Sequence, residues 1–382
     1  MRQYANHGAY EEIEILRSGV VMAIPGLAPT SLAQIKEDVD WAMVVRLGKA
    51  SKILVQAASG LRKMEWTVPD EFWKAEIDYR RFILSMNSVN MRSIVEVSAM
   101  LLKENVPFIL FKGPIMQNYS YNSYFCRPSS DVDILVDRKH IKKCSQVLRE
   151  AEYFLPAECD RIWWKSFLGE QHFFSCAPNR ATVDLHHRLQ QPGCPHPRNI
   201  AAFLAEPHMH RLNGVDIPCI SPIHATLLAS MSFIKSLAQR CHSAAYLADF
   251  CALLLRLEED ERAELWRRAV EQRIENTVRF TLSCAADVYG LQNMEEWAPL
   301  YIRDLFGDDL LLAIFQPENP AIGWPRLRRT LWRLSDQNEP GQKLSTYLRV
   351  GGRFLASKIA RKVPGLYPLP GQRPSAALPG AL

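Results

Sequence analysis

Arg127-Pro-Ser-Ser-Asp131-Val-Asp133-Ile-Leu-Val136 is the stretch that decides the fold of this 382-residue chain. Its aliphatic and β-branched residues predict a buried strand that begins at the first aspartate. Because successive side chains of a strand point to opposite faces, Asp131 and Asp133 share one face. Divalent cations such as Mg²⁺ prefer hard oxygen ligands, so two carboxylates on one face form a candidate cation site.

The chain contains a second copy of this triplet, Asp38-Val-Asp40. A chain of this length is expected to hold about one such D-x-D motif by chance, so the surrounding pattern must decide its meaning. The second copy lies within apolar residues at helical spacing, where side chains two positions apart point in different directions. We interpret it as ordinary helix surface.

The neighbourhood of Asp131 predicts further strands. Upstream, an apolar run from Val106 to Phe111 ends in Lys112-Gly113-Pro114, which predicts a buried strand, a tight turn and a short helix over 114–121. Downstream, we predict a helix over 138–151 and strands over 173–177 and 182–187. The last strand carries Asp184, with His186 on the same face.

Helical spacing of apolar residues flanks this region on both sides. We therefore predict an α+β fold, in which a small mixed sheet is flanked by N-terminal and C-terminal helical domains. The predicted segments are an N-terminal helical domain (1–105), a core carrying the sheet (106–191), an irregular linker (192–222), a C-terminal helical domain (223–335) and a basic amphipathic helix with a disordered tail (336–382).

Composition narrows the functional classes. The chain is 48% hydrophobic and 23% charged, has no apolar stretch long enough to span a membrane and lacks a signal-peptide pattern at its N-terminus. Its nine cysteines form no C-x-x-C pair, and its histidines match no established zinc spacing, so neither a disulfide framework nor a zinc site is expected. We expect a cytoplasmic protein. P-loop and Rossmann motifs are absent from the sequence.

Charge is distributed unevenly along the chain. Eleven Lys and Arg between Arg326 and the C-terminus face only two acids, so this segment carries +9 and the remainder −4. A basic end indicates an anionic partner, or a solvated helix face followed by a frayed tail. Both readings stay open.

Four ordered motifs carry a family resemblance: Phe111-Lys112-Gly113, Arg127, Asp131-Val-Asp133-Ile-Leu-Val136 and Asp184-Leu-His186-His187. They resemble the nucleotidyltransferase superfamily that includes DNA polymerase beta and kanamycin nucleotidyltransferase. More closely, the chain is similar to an uncharacterised bacterial nucleotidyltransferase family with the pattern L-K-G, Arg, D-x-D and D-L-H-W. Three departures concern nucleotide binding: Lys112-Gly113 stands in place of the superfamily's Gly-Ser, Ser130 in place of Gly, and His187 in place of Trp.

The resemblance implies a set of site residues. Asp131, Asp133 and Asp184 would be the catalytic, metal-binding carboxylates, holding two Mg²⁺ ions, with Mn²⁺ as an alternative. The expected nucleotide-binding residues are Lys112, Gly113, Arg127 and Ser130. His186 and Asp249 are expected to support the site from outside the ligand set.

The resemblance also implies a reaction, the transfer of a nucleoside monophosphate from a nucleoside triphosphate, expected to be ATP, with release of pyrophosphate. The acceptor hydroxyl would belong to a peptide or protein, a small metabolite or an RNA end, with nucleic acid less favoured. The alternative is a catalytically silent protein of the same fold that holds a peptide or anionic partner through its basic C-terminus.

Overall fold

The computed structural model describes residues 7–28, 39–64, 66–161, 163–191, 194–292, 297, 309–320, 322–324 and 331. The strands are β1 (Phe108–Leu110), β2 (Asp131–Val136), β3 (Tyr153–Phe154), β4 (Glu170–Ser175), β5 (Thr182–His186), β6 (His208–Leu212) and β7 (Val215–Cys219). The α-helices are α1 (His7–Ala23), α2 (Trp41–Ala50), α3 (Leu54–Leu61), α4 (Asp70–Lys103), α5 (Pro114–Tyr121), α6 (Ile141–Glu150), α7 (Ala201–Ala205), α8 (Pro222–Ala238), α9 (Ala244–Leu254), α10 (Glu259–Glu271), α11 (Glu275–Tyr289) and α12 (Asp309–Phe315).

The seven strands form one mixed sheet in the order β3-β4-β5-β2-β1-β7-β6. β2 pairs with β5 in parallel, and β1 pairs with β7 in parallel, while the other neighbours are antiparallel. Helices lie before and after these strands in the chain, so the predicted α+β class is confirmed. β2 and β5 occupy the middle of the sheet, which is where the predicted carboxylates lie.

The prediction of an irregular linker over 192–222 is wrong. It contains α7 and the hairpin of β6 and β7, and β7 joins the sheet beside β1 through Leu110 and Cys219. The hairpin turns at Asn213-Gly214, both with positive φ (48° and 82°), the conformation that a tight two-residue turn requires. Asn-Gly between two strands is the sequence signal that could have predicted this hairpin.

Asp40 also differs from its interpretation as helix surface. It is the N-cap of α2, and its side chain accepts a hydrogen bond from the Met43 backbone N–H at 2.9 Å. Its neighbour Asp38 and the predicted C-terminal amphipathic helix lie outside the described residues. The capping role accounts for the hydrogen bond that the side chain of Asp40 accepts.

Two glycines allow α1 and α3 to cross at very short distance. A Cβ on Gly60 would lie 1.7 Å from the carbonyl oxygen of Gly19, and a Cβ on Gly19 would lie 2.4 Å from the carbonyl oxygen of Ala57. Any larger residue would force the two backbones apart. The crossing fixes the position of α3 against α1.

Two hydrophobic clusters form the core. One joins helices from both ends of the chain, among them Leu16 of α1, Leu247 of α9 and Val278 of α11. The other lies against the sheet and includes Ile94 of α4, Ile134 of β2 and Val183 of β5. Among the described helices, none is both long enough and apolar enough to cross a membrane.

Candidate active site

The central strands place the predicted carboxylates side by side. β2 and β5 run parallel with Asp133 directly opposite Asp184 and with Asp131 opposite Thr182. Paired residues of adjacent strands project to the same face, and so do residues two apart on one strand. The three aspartates therefore share one face of the sheet, as the sequence predicts.

β4 adds two further ionisable residues to this face, because His172 lies opposite Asp184 and Glu170 opposite His186. His172 Nδ1 lies 2.9 Å from Asp184 Oδ1, and its Nε2 lies 3.6 Å from Glu170 Oε1. His186 Nδ1 lies 3.6 Å from Glu170 Oε2, and its Nε2 lies 3.2 Å from Asp133 Oδ1. Acids and imidazoles thus alternate from Asp184 to Asp133.

The donor set suits a divalent cation. One ligand atom each from Asp133, Asp184 and His186 lies within 4.8 Å of the others, and all three residues are buried. Carboxylate oxygens with an imidazole nitrogen are ligands for cations such as Mn²⁺, while Mg²⁺ favours the oxygens. His186, expected outside the ligand set, is thus close enough to be a ligand.

The three aspartates also interact electrostatically. Burial raises the pKa of Asp131 to about 6, and the negative charges of Asp133 and Asp184 contribute to the same shift. Burial alone would raise the pKa of Asp133 as well, but the charge of Lys112 and the contact with His186 outweigh it and hold that pKa below its usual range. Carboxylates that repel one another in this way favour a bound cation.

Histidine 172 is positively charged in this arrangement. Burial acts to lower its pKa, but hydrogen bonding and charge from Asp184 and Glu170 raise it to about 10. The same contacts bring the pKa of Glu170 down to about 2, against the opposing effect of burial. His172 therefore acts as a fixed cation behind Asp184 at neutral pH.

Lys112 lies at the end of β1 and contacts the carboxylates directly. Its Nζ donates a hydrogen bond to Asp133 Oδ1 at 2.8 Å, and about a third of the side chain remains exposed. Burial acts to lower its pKa, but Asp133 raises it above the usual range, so Lys112 stays charged. The next residue, Gly113, has φ +85° at the start of α5, a conformation that favours glycine.

A cleft of about 710 Å³ opens beside Asp131 and Asp133. Its walls come from the turn between α2 and α3, the end of β1, the loop before β2, and helices α8 and α9; the position between the sheet and C-terminal helices is the one the sequence predicts. Nucleotide-sized ligands occupy pockets of this size. Ser130, one of the predicted nucleotide-binding residues, is exposed on its wall.

Sequence reasoning missed two lysines of this cleft, Lys52 and Lys235. Lys52 follows α2, and Lys235 lies half-buried on α8. Burial lowers the pKa of each, with Arg127 adding to the effect on Lys52 and Lys112 adding to that on Lys235. Among the described residues neither forms a salt bridge, so both charges are available to an anionic ligand.

Arg127 forms a buried ion pair with Asp249 of α9. Tyr121 Oη donates a hydrogen bond to Asp249 Oδ1 at 2.9 Å. Burial acts to lower the pKa of Arg127, but Asp249 raises it above its usual range. Both residues line the cleft. The pair fastens the loop before β2 to the C-terminal helices, so the described contacts of Arg127, which was expected to bind the nucleotide, are within the protein.

Three buried amides shape the same loop. Asn87 Nδ2 donates to the carbonyl oxygen of Arg127 at 2.9 Å, and Asn90 Nδ2 donates to that of Asp131 at 2.6 Å. Gln117 accepts hydrogen bonds from two backbone N–H groups of the loop, Cys126 at 2.9 Å and Arg127 at 3.0 Å. The signal in the sequence was polar residues on otherwise apolar helix faces.

Comparison with known proteins identifies the family of this chain. A family model described as an uncharacterised nucleotidyltransferase matches residues 37–290. No curated protein matches the chain. Among solved structures, the solution structure of the antibiotic-resistance factor ANT(2″)-Ia is similar at 11% identity, covering 48% of this chain and 92% of that chain with a TM-score of 0.33. The family model spans most of the chain and all four motifs, and the chain belongs to this uncharacterised nucleotidyltransferase family.

Proposed function

We propose that the chain transfers a nucleoside monophosphate from a nucleoside triphosphate to an acceptor hydroxyl, in a reaction that depends on a divalent cation. The observation that carries the proposal is the convergence of Asp131, Asp133 and Asp184 on one sheet face, beside a cleft with cationic walls. A transferase of this family needs a nucleotide substrate, and this cleft has the size and charge to take one.

The carboxylates have distinct tasks in the proposal. Asp133 and Asp184, with Asp131 or His186, would hold the cation, which when bound supplies positive charge to the triphosphate oxygens. Asp184 lies opposite Asp133 on the neighbouring strand and would orient the acceptor hydroxyl and accept its hydrogen bond. His172 holds Asp184 from behind through their 2.9 Å contact, so the carboxylate keeps one orientation.

The cations of the cleft bind the phosphates. Lys112, Lys52 and Lys235 approach from three different elements and would contact the triphosphate as point charges. The acceptor oxygen forms a bond to the α-phosphorus, and the bond from that phosphorus to the bridging oxygen breaks. Pyrophosphate leaves with the bonding electrons, its charge balanced by the lysines, and the hydroxyl proton passes to solvent.

Pyrophosphate release tests the proposal. The protein is incubated with each of the four triphosphates, Mg²⁺ or Mn²⁺ and a cell extract, and we expect ATP to support release and to label one acceptor. Asp133→Asn and Asp184→Asn should each reduce the rate by about a thousandfold, since a metal site supplies several kcal/mol to phosphoryl-type transfer. Identification of the labelled compound separates a peptide, a metabolite and an RNA end.

Asp216→Asn serves as the matched control, because Asp216 is an exposed carboxylate on β7 of the same sheet. It should retain the wild-type rate. Full activity of Asp133→Asn would disprove the assigned site. Nucleotide binding without pyrophosphate release, whatever acceptor is offered, would instead support the catalytically silent alternative.

A further inference from the structure

A second cavity, of about 540 Å³, adjoins the cleft at α5. Its walls come from the end of α1, from α3, α4, the end of α5 and the end of α9. Ser120 lines both this cavity and the cleft, so the two spaces are back to back. The mechanism proposed above makes no use of this cavity.

Gln56 is the residue that sets the cavity apart. It lies on α3 with 4% of its surface exposed, and it lines the cavity. Neither its Oε1 nor its Nε2 has a hydrogen-bond partner among the described residues. A buried amide left without partners costs free energy, and such groups in native proteins are normally satisfied by a ligand, water or another residue.

The walls of the cavity are positively charged. Arg80 and Arg256 line it, and the lining residues include neither Asp nor Glu. Arg80 shares the buried carboxylate of Glu76 with Arg62, so two guanidinium groups are balanced by one acid. Arg256 donates only to uncharged oxygens, those of Ser120 and Asn122, among its described contacts.

These features together describe one kind of ligand. A primary amide offers an acceptor and two donors in one plane, which matches the adjacent donor and acceptor atoms on the edge of a nucleobase. Guanidinium groups suit phosphate. Ile24, Pro25 and Leu255 supply apolar surface for a ring. We propose that this cavity is a second ligand site, which binds a nucleoside monophosphate with its base on Gln56 and its phosphate on Arg80 and Arg256.

The site is connected to the cleft through one side chain. Tyr121 lines the cavity, and its hydroxyl donates to Asp249, which is paired with Arg127 on the wall of the cleft. A ligand that presses on Tyr121 therefore reaches the loop before β2 through two contacts. Occupancy of the cavity is expected to change the affinity of the cleft for its own ligand.

Calorimetric titration of the full chain with AMP, GMP, CMP and UMP tests the proposal. We expect at least one to bind, and Gln56→Leu and Arg256→Ala each to weaken its binding at least tenfold. Lys235→Ala, in the cleft, and Gln146→Leu, an exposed glutamine of α6, should leave that binding unchanged. Because the readout is binding of a monophosphate, its result stands apart from the pyrophosphate assay above.

Two results would overturn the second site. One is the failure of all four monophosphates to bind at millimolar concentration. The other is binding that Lys235→Ala removes and Gln56→Leu does not, which assigns the ligand to the cleft. Thermal unfolding without ligand gives an independent readout: Gln56→Leu should raise the midpoint, since it removes an unpartnered buried amide. A lowered midpoint would show that the amide serves the fold and would also refute the proposal.

Discussion

Lys235 is the residue that gives the strongest indication that the cleft binds a nucleotide and is not simply polar. It projects from a helix far from the motif in the chain, lies half-buried beside Lys112, and forms no salt bridge with any described residue. A buried lysine without a counter-ion is costly unless a ligand supplies the charge. We therefore expect its partner to be the triphosphate.

Lys235 and Lys52 are both expected to contact the triphosphate. Lys235→Ala and Lys52→Ala should each raise the nucleotide KM by about ten- to a hundredfold, because a charged hydrogen bond contributes about 1.5–3 kcal/mol. Steady-state kinetics at varied triphosphate concentration measures this. Lys139→Ala, which removes a largely exposed lysine after β2, should leave KM unchanged. Unchanged KM in both cleft variants would contradict the triphosphate contact.

The sequence predicted those candidate site residues that lie close together in the chain or on the same face of one strand. Asp131 and Asp133 were predictable because D-x-D on a strand fixes their common face, whereas the roles of Asp184 and Lys112 came from the family resemblance. Lys52 and Lys235 were not, since only tertiary packing brings the turn after α2 and the middle of α8 to the same cleft. His172 and Glu170 were missed because their role depends on β4 pairing next to β5.

At the scale of single elements, the crossing of α1 and α3 is the most sensitive contact. Gly60→Ala would place a methyl group 1.7 Å from the carbonyl oxygen of Gly19, so the helices must separate. Overpacking of this kind costs about 3 kcal/mol. We therefore expect the midpoint of thermal unfolding to fall by at least about 5 °C. Circular dichroism on heating measures the change.

Gly323→Ala is the matched control for this substitution, because a Cβ there would meet no atom within 4 Å. It should leave the unfolding midpoint within a degree or so of the wild type. A stable Gly60→Ala protein would show that α1 and α3 can adjust without cost.

The N-terminus of α8 gives a pH-dependent prediction. His224 is buried and stacked on Phe203 at 4.3 Å, and burial lowers its pKa to about 4, with Arg268 contributing. The unfolded chain has an ordinary histidine pKa near 6.5, so it binds the proton first as pH falls. The contribution of the neutral ring is complete above pH 6.5 and is lost as pH falls toward 4.

We therefore expect this histidine to lower the free energy of unfolding by about 2 kcal/mol between pH 7 and pH 5. Denaturant unfolding at the two pH values, compared for the wild type and His224→Phe, measures it. The variant should lose that part of the pH dependence, whereas His208→Phe, at an exposed position on β6, should keep it. Equal pH dependence in the wild type and His224→Phe would contradict the assignment.

Helices and strands whose apolar residues recur at a regular spacing were predictable from the sequence. Strands whose pairing depends on a turn were less predictable. The spacing around 114–121 predicted α5 at its observed bounds, and the strand from Asp131 to Val136 matches β2. The hairpin of β6 and β7 was missed, because β6 contains two histidines and β7 contains Pro218, so neither strand shows a regular alternation of apolar and polar residues. Helix α4, within the predicted N-terminal helical domain, is one continuous helix of 34 residues.

The whole molecule is organised around helices that meet from both ends of the chain. Arg17 of α1 donates to the carbonyl oxygen of Val288 on α11, and the surrounding side chains form one hydrophobic cluster. The sequence predicts helical segments on each side of the sheet but contains no periodicity that reveals their contact. As a result the cleft has walls from the N-terminal helices, the sheet and the C-terminal helices.

A ligand that touches three such parts should stabilise the entire fold. At a triphosphate concentration of a hundred times Kd, the free energy of unfolding should rise by about 2.7 kcal/mol with Mg²⁺ present. Removal of divalent ions with EDTA should reduce that gain, because the carboxylates then repel the phosphates. Differential scanning fluorimetry measures both shifts. An identical gain with and without divalent ions would argue against a metal at the aspartates.

The hydrogen bond from Lys112 to Asp133 has a consequence for how the site is filled. A divalent ion that binds Asp133 would compete with this ammonium group for the carboxylate. A free ion that bound the carboxylate would leave Lys112 without its hydrogen-bond acceptor. An ion that arrives bound to a triphosphate also brings phosphate oxygens, which can accept the hydrogen bond of Lys112. The ion and the nucleotide are thus expected to bind together, and Lys112 balances the charge of Asp133 until they do.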